Sequence, residues 1–409
     1  MKYGLIGEKL GHSYSKEIHS YLADYEYELC EVARENISSF MERGDFKAIN
    51  VTIPYKQTVI PYLHYIDDGA KAIGAVNTVV NKDGLLYGYN TDFFGLKSLI
   101  EKIGVSLKGK KVVILGTGGT SKTATAVARA LGAGEILRTS RNEREDAISY
   151  EELYEKHLDA EYIINTTPSG MYPNIFDTPV DISKFPRLSG VADAVYNPLR
   201  TPLVLSAKER NIPAEGGLYM LVAQAVKASE YFIDEKYPSD VISEIYGKIS
   251  GRKENIVLVG MPASGKSTVG KLISNITSRE FVDTDELIVK RAGMEITEIF
   301  SRFGEKHFRD LESEVIKDVS SKSELIIATG GGAILRKENI DALKENGRIY
   351  FIDRPLEKLI PTASRPLSSD KEAIEKRFKE RYGIYCSVCD ARIDADASPE
   401  EVAERILKG

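Results

Sequence analysis

The sequence predicts an α/β protein with two nucleotide-binding units in tandem, and three observations carry that prediction. Short apolar runs ending in glycine or polar residues alternate with helical patterns along most of the 409 residues. Two glycine loops, LGTGGTS at 115–121 and GMPASGKS at 260–267, each follow such a run and open a helix. Between them, residues 234–255 turn polar and mark a boundary.

The apolar runs VVILG (112–116), EYIINTT (161–167), IVLVG (256–260), LIIATGGG (325–332) and RIYFID (348–353) read as buried parallel strands, each delivering a loop at its carboxyl end. TATAVARALGAG and KSTVGKLISNIT supply the helices that alternate with them. Residues 234–250 read as a terminal helix, and Gly251-Arg252-Lys253-Glu254-Asn255 as a short linker. Bulk properties are those of a globular protein: 42% of residues are hydrophobic and 28% charged. A net charge of −6 argues against nucleic-acid or membrane-surface partners. No run approaches the ~18 apolar residues of a membrane span. MKYGLIGEKLGHS lacks a signal core, and three cysteines cannot build a disulfide framework, so a cytoplasmic location is expected. Cys386 and Cys389 form a lone CxxC that reads as two incidental thiols. No heptad or apolar stripe sets an oligomeric state.

GMPASGKS matches the phosphate-binding pattern G-x-x-x-x-G-K-[ST] between a strand and a helix. Backbone N–H groups from Gly260, Ala263, Ser264 and Gly265 into Thr268 would cradle the phosphates of ATP. Lys266 would reach the β- and γ-phosphates, and the Ser267 hydroxyl would ligate Mg²⁺. FVDTDELI then sets Asp283 and Asp285 two apart at a strand end, and FRDLE puts Arg309 and Glu312 on one helical face. IATGGG supplies Gly330, Gly331 and Gly332, SRPL carries Arg365, and KERYGIY carries Arg381. Singly, such pieces are ordinary turns and surface charges. In this order, across about 254–409, they resemble shikimate kinase. The resemblance implies that Asp283 holds a water of the Mg²⁺ shell, and that Asp285 binds and orients or deprotonates the attacking hydroxyl. It further implies that Arg309 and Arg381 grip the substrate carboxylate, that N–H groups of Gly330–Gly332 line the pocket, and that Arg365 closes over the phosphoryl group. A basic residue that the family carries ahead of RPL is missing from DRPLEKLIPTASR.

The first glycine loop has the grammar GxGGxx, and packing glycines in a turn are its plainer reading. The next strand, EILRT, ends at Ser140-Arg141-Asn142-Glu143-Arg144. Arginines there suit a ribose 2′-phosphate, which favours NADP(H) over NAD. GHSYS presents Ser13 and Ser15, NVTIPYK presents Thr52 and Lys56, GAVNT presents Asn77, and GYNTD presents Asn90 and Asp92. Each alone is turn or cap chemistry. Together with NTTPSGM, DAVYNPLRTPL and EGGLYMLVAQA, they make about 1–250 resemble shikimate dehydrogenase.

By that resemblance Lys56 and Asp92 form the catalytic pair, with Lys56 either a proton donor or an electrostatic stabiliser. Ser13, Ser15, Thr52, Asn77 and Gln224 would hold the carboxylate and ring hydroxyls, and Tyr196 would approach the carboxylate. Gly217 and Met220 would lie near the nicotinamide, and Gly116, Gly118, Gly119, Thr120 and Ser121 would wrap the pyrophosphate. Ser140, Arg141 and Arg144 would meet the adenosine end. Lys16 stands where the family has proline, and Ser140-Arg141-Asn142 where it has Asn-Arg-Thr.

The expected organisation is a dehydrogenase-like unit at 1–250, with a substrate part at 1–98 plus 219–250 and a Rossmann-like NADP-binding part at 99–218. A linker at 251–255 and a P-loop kinase unit at 256–409, with a parallel sheet flanked by helices, complete it. The expected function is bifunctional: NADPH-dependent reduction of 3-dehydroshikimate to shikimate, then ATP- and Mg²⁺-dependent phosphorylation to shikimate 3-phosphate. Two alternatives stay open. One is an NAD-dependent quinate/shikimate dehydrogenase fused to another small-molecule kinase; the other is a fusion in which one half only senses ligand.

Overall fold

Three sheets organise the chain, and the computed structural model describes residues 1–11, 13–142, 144–360 and 371–408. The first sheet contains β1 (Tyr3–Gly7), β2 (Tyr27–Glu31), β3 (Ala48–Val51), β4 (Tyr65–Ile66), β5 (Thr78–Lys82) and β6 (Leu85–Tyr89), in the order β2-β1-β3-β5-β6-β4. It is mixed: β1 runs parallel to β2 and β3, while β5 pairs antiparallel with β3 and β6. β3 is buried at all four residues, as a central strand of Ala, Ile, Asn and Val should be. Helices Thr91–Ile103 and Leu218–Ile233 pack on each other closely. Gly95 permits this, since a Cβ there would sit 2.6 Å from the Met220 carbonyl oxygen.

The second sheet is wholly parallel, with β7 (Lys111–Leu115), β8 (Glu135–Ser140), β9 (Ile148–Ser149), β10 (Tyr162–Asn165), β11 (Gly190–Asp193) and β12 (Ala214–Glu215). Its order, β12-β11-β10-β7-β8-β9, reverses between β10 and β7. That switch point opens a crevice at the carboxyl ends of the strands, where the first glycine loop emerges. The third sheet is also parallel, with β13 (Asn255–Val259), β14 (Phe281–Asp283), β15 (Ile326–Ala328), β16 (Gly347–Asp353) and β17 (Ala391–Asp394) in the order β14-β15-β13-β16-β17. The central strand β13 delivers the second glycine loop. Every strand expected from the apolar runs is present within a residue or two, because burial on both faces selects continuous apolar text.

The chain divides into two compact units, Met1–Asn197 with Ser206–Ser250, and Pro198–Leu205 with Gly251–Gly409. Within the second unit, Arg200 fixes the short segment: its guanidinium donates to the Lys344 and Gly347 carbonyls and pairs with Glu254 at 2.8 Å. The expected linker at 251–255 is not a loop. Helix Val241–Lys253 runs through it, and only Glu254 separates that helix from β13. Ile245 and Ile249, one turn apart and buried, hold the helix, and Gly251 costs it only about 1 kcal/mol. The 25-residue span Ile296–Ser320 is broken at Gly304, whose φ of 81° interrupts the helical path.

Candidate active sites

In the first unit three side chains at the ends of strands and a helix converge. Lys56 follows β3, Asn77 precedes β5, and Asp92 lies in the first turn of the helix capped by Asn90. Lys56 Nζ donates to Asp92 Oδ2 at 2.6 Å, and Asn77 Nδ2 donates to Asp92 Oδ1 at 2.9 Å. Asn77 Oδ1 in turn accepts from the Thr91 N–H at 2.7 Å, which fixes the amide's orientation. Both oxygens of Asp92 are thus engaged, and the helix N-terminus favours its negative charge. Lys56 remains 27% exposed and is held by that one carboxylate.

These residues line a cavity of about 430 Å³. Ser13, Ser15, Thr52, Tyr196 and Gln224 line the same cavity, so all eight expected substrate residues are brought together. Gly217, Met220 and Thr120 border it as well. Gln224 is tied in through Thr91 Oγ1 at 3.3 Å. Burial pushes the Tyr196 phenol above its ordinary range, so it stays a protonated donor, and Tyr14 packs edge-on against it. Asn50 was missed by sequence reasoning. It is buried, accepts from the Tyr27 hydroxyl at 2.7 Å and donates to Thr78 Oγ1 at 3.1 Å. Its signal stood in the text as the residue opening NVTIPYK.

The cofactor loop fits a dinucleotide. Gly116 has a φ of 104°, with Thr166 Oγ1 3.0 Å from where a Cβ would lie. Gly118 and Gly119 face open space, and Ser121 Oγ is buried with no partner among the described residues. Glycines that leave room and an orphaned hydroxyl are what an approaching pyrophosphate requires. Ser140 and Arg141 line a second cavity of about 850 Å³, which shares Met171 and Tyr172 with the first. Arg144 bridges Ala147 through its backbone and is not among the residues that line that cavity. Glu143 lies outside the described residues.

In the second unit the loop backbone has the required form, with positive φ at Gly260 (150°), Ala263 (63°) and Gly265 (96°). Ser264 Oγ is buried without a partner among the described residues. Lys266 is buried, its Nζ donating to the Gly260 and Met261 carbonyls at 2.9 and 2.8 Å. Ser267 and Thr268 begin the helix Lys266–Thr277. Ser267 Oγ donates to Asp283 Oδ2 at 2.7 Å, and Asp283 Oδ1 caps the next helix by accepting the Asp285 N–H. A hydroxyl and a carboxylate held side by side suit a hard divalent cation such as Mg²⁺.

Around the three glycines the packing is tight. A Cβ on Gly330 would lie 2.7 Å from Asp285 Oδ1 and 2.8 Å from Glu312 Oε1. One on Gly332 would lie 2.3 Å from Arg309 Nη1. Arg381 Nη1 and the Tyr385 hydroxyl both donate to the Gly331 carbonyl, at 3.0 and 2.5 Å. The expected role of the Gly330 N–H is corrected: it donates to Thr284 Oγ1 at 3.0 Å, as a buried amide needs a partner. Glu312, fully buried, pairs with Arg309 at 2.7 Å, while Glu305 takes the other edge of that guanidinium. Burial raises the Glu312 carboxyl above its usual range against the opposing pull of Arg309, and it lowers Arg381, with Arg309 adding repulsion. Two desolvated guanidinium groups near each other have the chemistry that suits a carboxylate. Sequence reasoning placed Glu312 beside Arg309 but gave it no role. Arg365 lies outside the described residues.

Comparison with known proteins agrees with this geometry. Residues 5–79 match the shikimate dehydrogenase substrate binding domain, and residues 262–409 match shikimate kinase. The shikimate dehydrogenase (NADP(+)) of Clostridium beijerinckii is 38% identical over 261 residues, covering 60% of this chain and 96% of that protein. The shikimate kinase of Thermodesulfovibrio yellowstonii is 44% identical over 163 residues, covering 38% of this chain and 94% of that protein. The crystal structure of shikimate dehydrogenase 1 from Peptoclostridium difficile superposes with a TM-score of 0.56 at 36% identity, covering 61% of this chain and 98% of that one. The chain therefore belongs to two enzyme families at once, shikimate dehydrogenase in its N-terminal part and shikimate kinase in its C-terminal part.

Proposed function

We propose that residues 1–250 reduce 3-dehydroshikimate to shikimate with NADPH, and that residues 256–409 phosphorylate shikimate to shikimate 3-phosphate with ATP and Mg²⁺. The observation that carries the reading is the Lys56–Asp92–Asn77 cluster in a cavity lined by small hydroxyl and amide donors. NADPH supplies the hydride when bound. Lys56 is poised to give a proton to the ketone oxygen, while Asp92, oriented by Asn77, balances its charge. Ser13, Ser15 and Tyr196 offer hydroxyls to the carboxylate; Thr52, Asn77 and Gln224 suit the ring hydroxyls. Arg141 is the residue for the 2′-phosphate.

In the kinase unit ATP supplies the γ-phosphoryl group, and Mg²⁺ neutralises phosphate charge. Lys266 leaves its two carbonyls to meet the phosphates, and Asp285 orients the attacking hydroxyl. Arg309 and Arg381 hold the acceptor's carboxylate, with Glu312 setting the angle of Arg309. The substrates are thus small hydroxylated acids, and the three free thiols suit a reducing cytosol.

Initial rates for NADPH against NADH, and for shikimate against quinate in the oxidative direction, test the first half. We expect NADPH and shikimate to be preferred by at least tenfold in kcat/KM. A preference for NADH and quinate would overturn the assignment.

A further inference from the structure

The sequence between Lys358 and Arg365 is LIPTAS, with no cation to meet a nucleotide. The structure offers one from another place. β16 runs parallel to β13 with Val259 opposite Phe351, so residues just past Phe351 run alongside the phosphate loop. A Cβ on Gly260 would lie 2.8 Å from the Ile352 carbonyl oxygen, and one on Gly265 would lie 3.9 Å from Arg354 Nη1. The Arg354 guanidinium therefore rests against the residue that precedes Lys266. Its Nε is buried and, among the described residues, has no hydrogen-bond partner.

The neighbouring charges are already committed. Asp353 accepts from the Tyr382 hydroxyl at 3.2 Å and pairs with Arg392 at 2.6 Å. Lys358 pairs with Asp396. Among the described residues no carboxylate lies within ion-pair distance of Arg354. A buried guanidinium N–H lacking an acceptor is unfavourable in the free protein, and a loop of this type gathers phosphate oxygens. We propose that Arg354 is a phosphate-binding residue of the nucleotide site, a second cation beside Lys266 that contacts the phosphates of ATP. Its planar fork suits two phosphate oxygens at once. This rests on the kinase reading above and assigns it a residue that the motif does not contain.

Arg354→Met and Arg354→Lys in the full chain test it, with inorganic tripolyphosphate as a second probe. For Arg354→Met we expect the KM for ATP and the Ki of tripolyphosphate to rise together, by roughly 10- to 100-fold. The KM for shikimate and the dehydrogenase rate should stay at wild-type values, and Arg354→Lys should recover part of the loss. An unchanged KM and Ki would overturn the proposal. A rise in the ATP KM without a rise in the tripolyphosphate Ki would also overturn it, since the guanidinium would then serve the base. Tripolyphosphate binding to the wild-type protein, read by calorimetry, needs no acceptor. A wild-type chain that binds it but does not phosphorylate shikimate would break the kinase reading while leaving this test intact.

Discussion

The two units reach readiness by opposite routes. In the dehydrogenase unit the proposed acid–base pair is already assembled, with Lys56 on Asp92 at 2.6 Å and Asn77 on the other oxygen at 2.9 Å. In the kinase unit three of the proposed ligand-binding cations are held on internal acceptors: Lys266 on two loop carbonyls, Arg309 on two glutamates, and Arg381 on the Gly331 carbonyl. Ketone reduction moves a proton, which calls for a fixed donor. Phosphoryl transfer gathers anionic ligands around cations, so protein acceptors keep those cations satisfied until ligands replace them.

The comparison breaks most visibly at the lysines. Lys56→Ala should lower kcat for ketone reduction about a thousandfold, with phosphorylation of added shikimate unchanged. Lys266→Met should lower phosphorylation by a similar factor, with NADPH oxidation unchanged. Steady-state assays of both reactions on each variant check this, and loss of both activities from one substitution would contradict it. A smaller effect is expected at Glu312→Gln, which leaves Arg309 with Glu305 alone. The KM for shikimate should rise about tenfold while the KM for ATP stays put. A change in the ATP KM instead would remove Glu312 from the acceptor pocket.

The smallest and most diagnostic contrast is in pH. Burial lowers His19, in the dehydrogenase unit, to about 3, and raises Glu345, in the kinase unit, to about 9. A depressed histidine contributes stability that is present above its unfolded value near ~6.5 and is lost as pH falls towards 3. A raised carboxyl contributes stability that is present below its unfolded value near ~4.3 and is lost as pH rises towards 9. Differential scanning calorimetry should therefore show the dehydrogenase transition weakening on acidification and the kinase transition weakening on alkalinisation. Glu345→Gln should raise the kinase transition by a few degrees at pH 8 and flatten its slope. A steeper decline with pH in that variant would count against the sign.

Much of this was legible in the text. The glycine loops announced themselves because a phosphate site needs backbone freedom and a helix start, both of which are sequence-local. Lys56, Asn77 and Asp92 were legible as polar residues at strand ends, although their meeting depends on a mixed sheet that no local pattern encodes. The rest depended on packing. Asn50 and Glu312 matter because they are buried beside particular partners. The Gly330 N–H is diverted by a threonine 46 residues away in sequence. Arg354 comes to the phosphate loop only through the register of β16 on β13. The helix through 251–253 was hidden by its glycine and basic residues, while Ile245 and Ile249 that anchor it lie upstream.

The most direct test of the central claim is a single reaction containing the protein, 3-dehydroshikimate, NADPH, ATP and Mg²⁺, followed for NADPH absorbance and for phosphorylated product by mass spectrometry. We expect NADPH oxidation accompanied by shikimate 3-phosphate, with phosphorylation abolished by omitting ATP and both steps absent without NADPH. NADPH oxidation that yields only free shikimate, with ATP untouched, would contradict it.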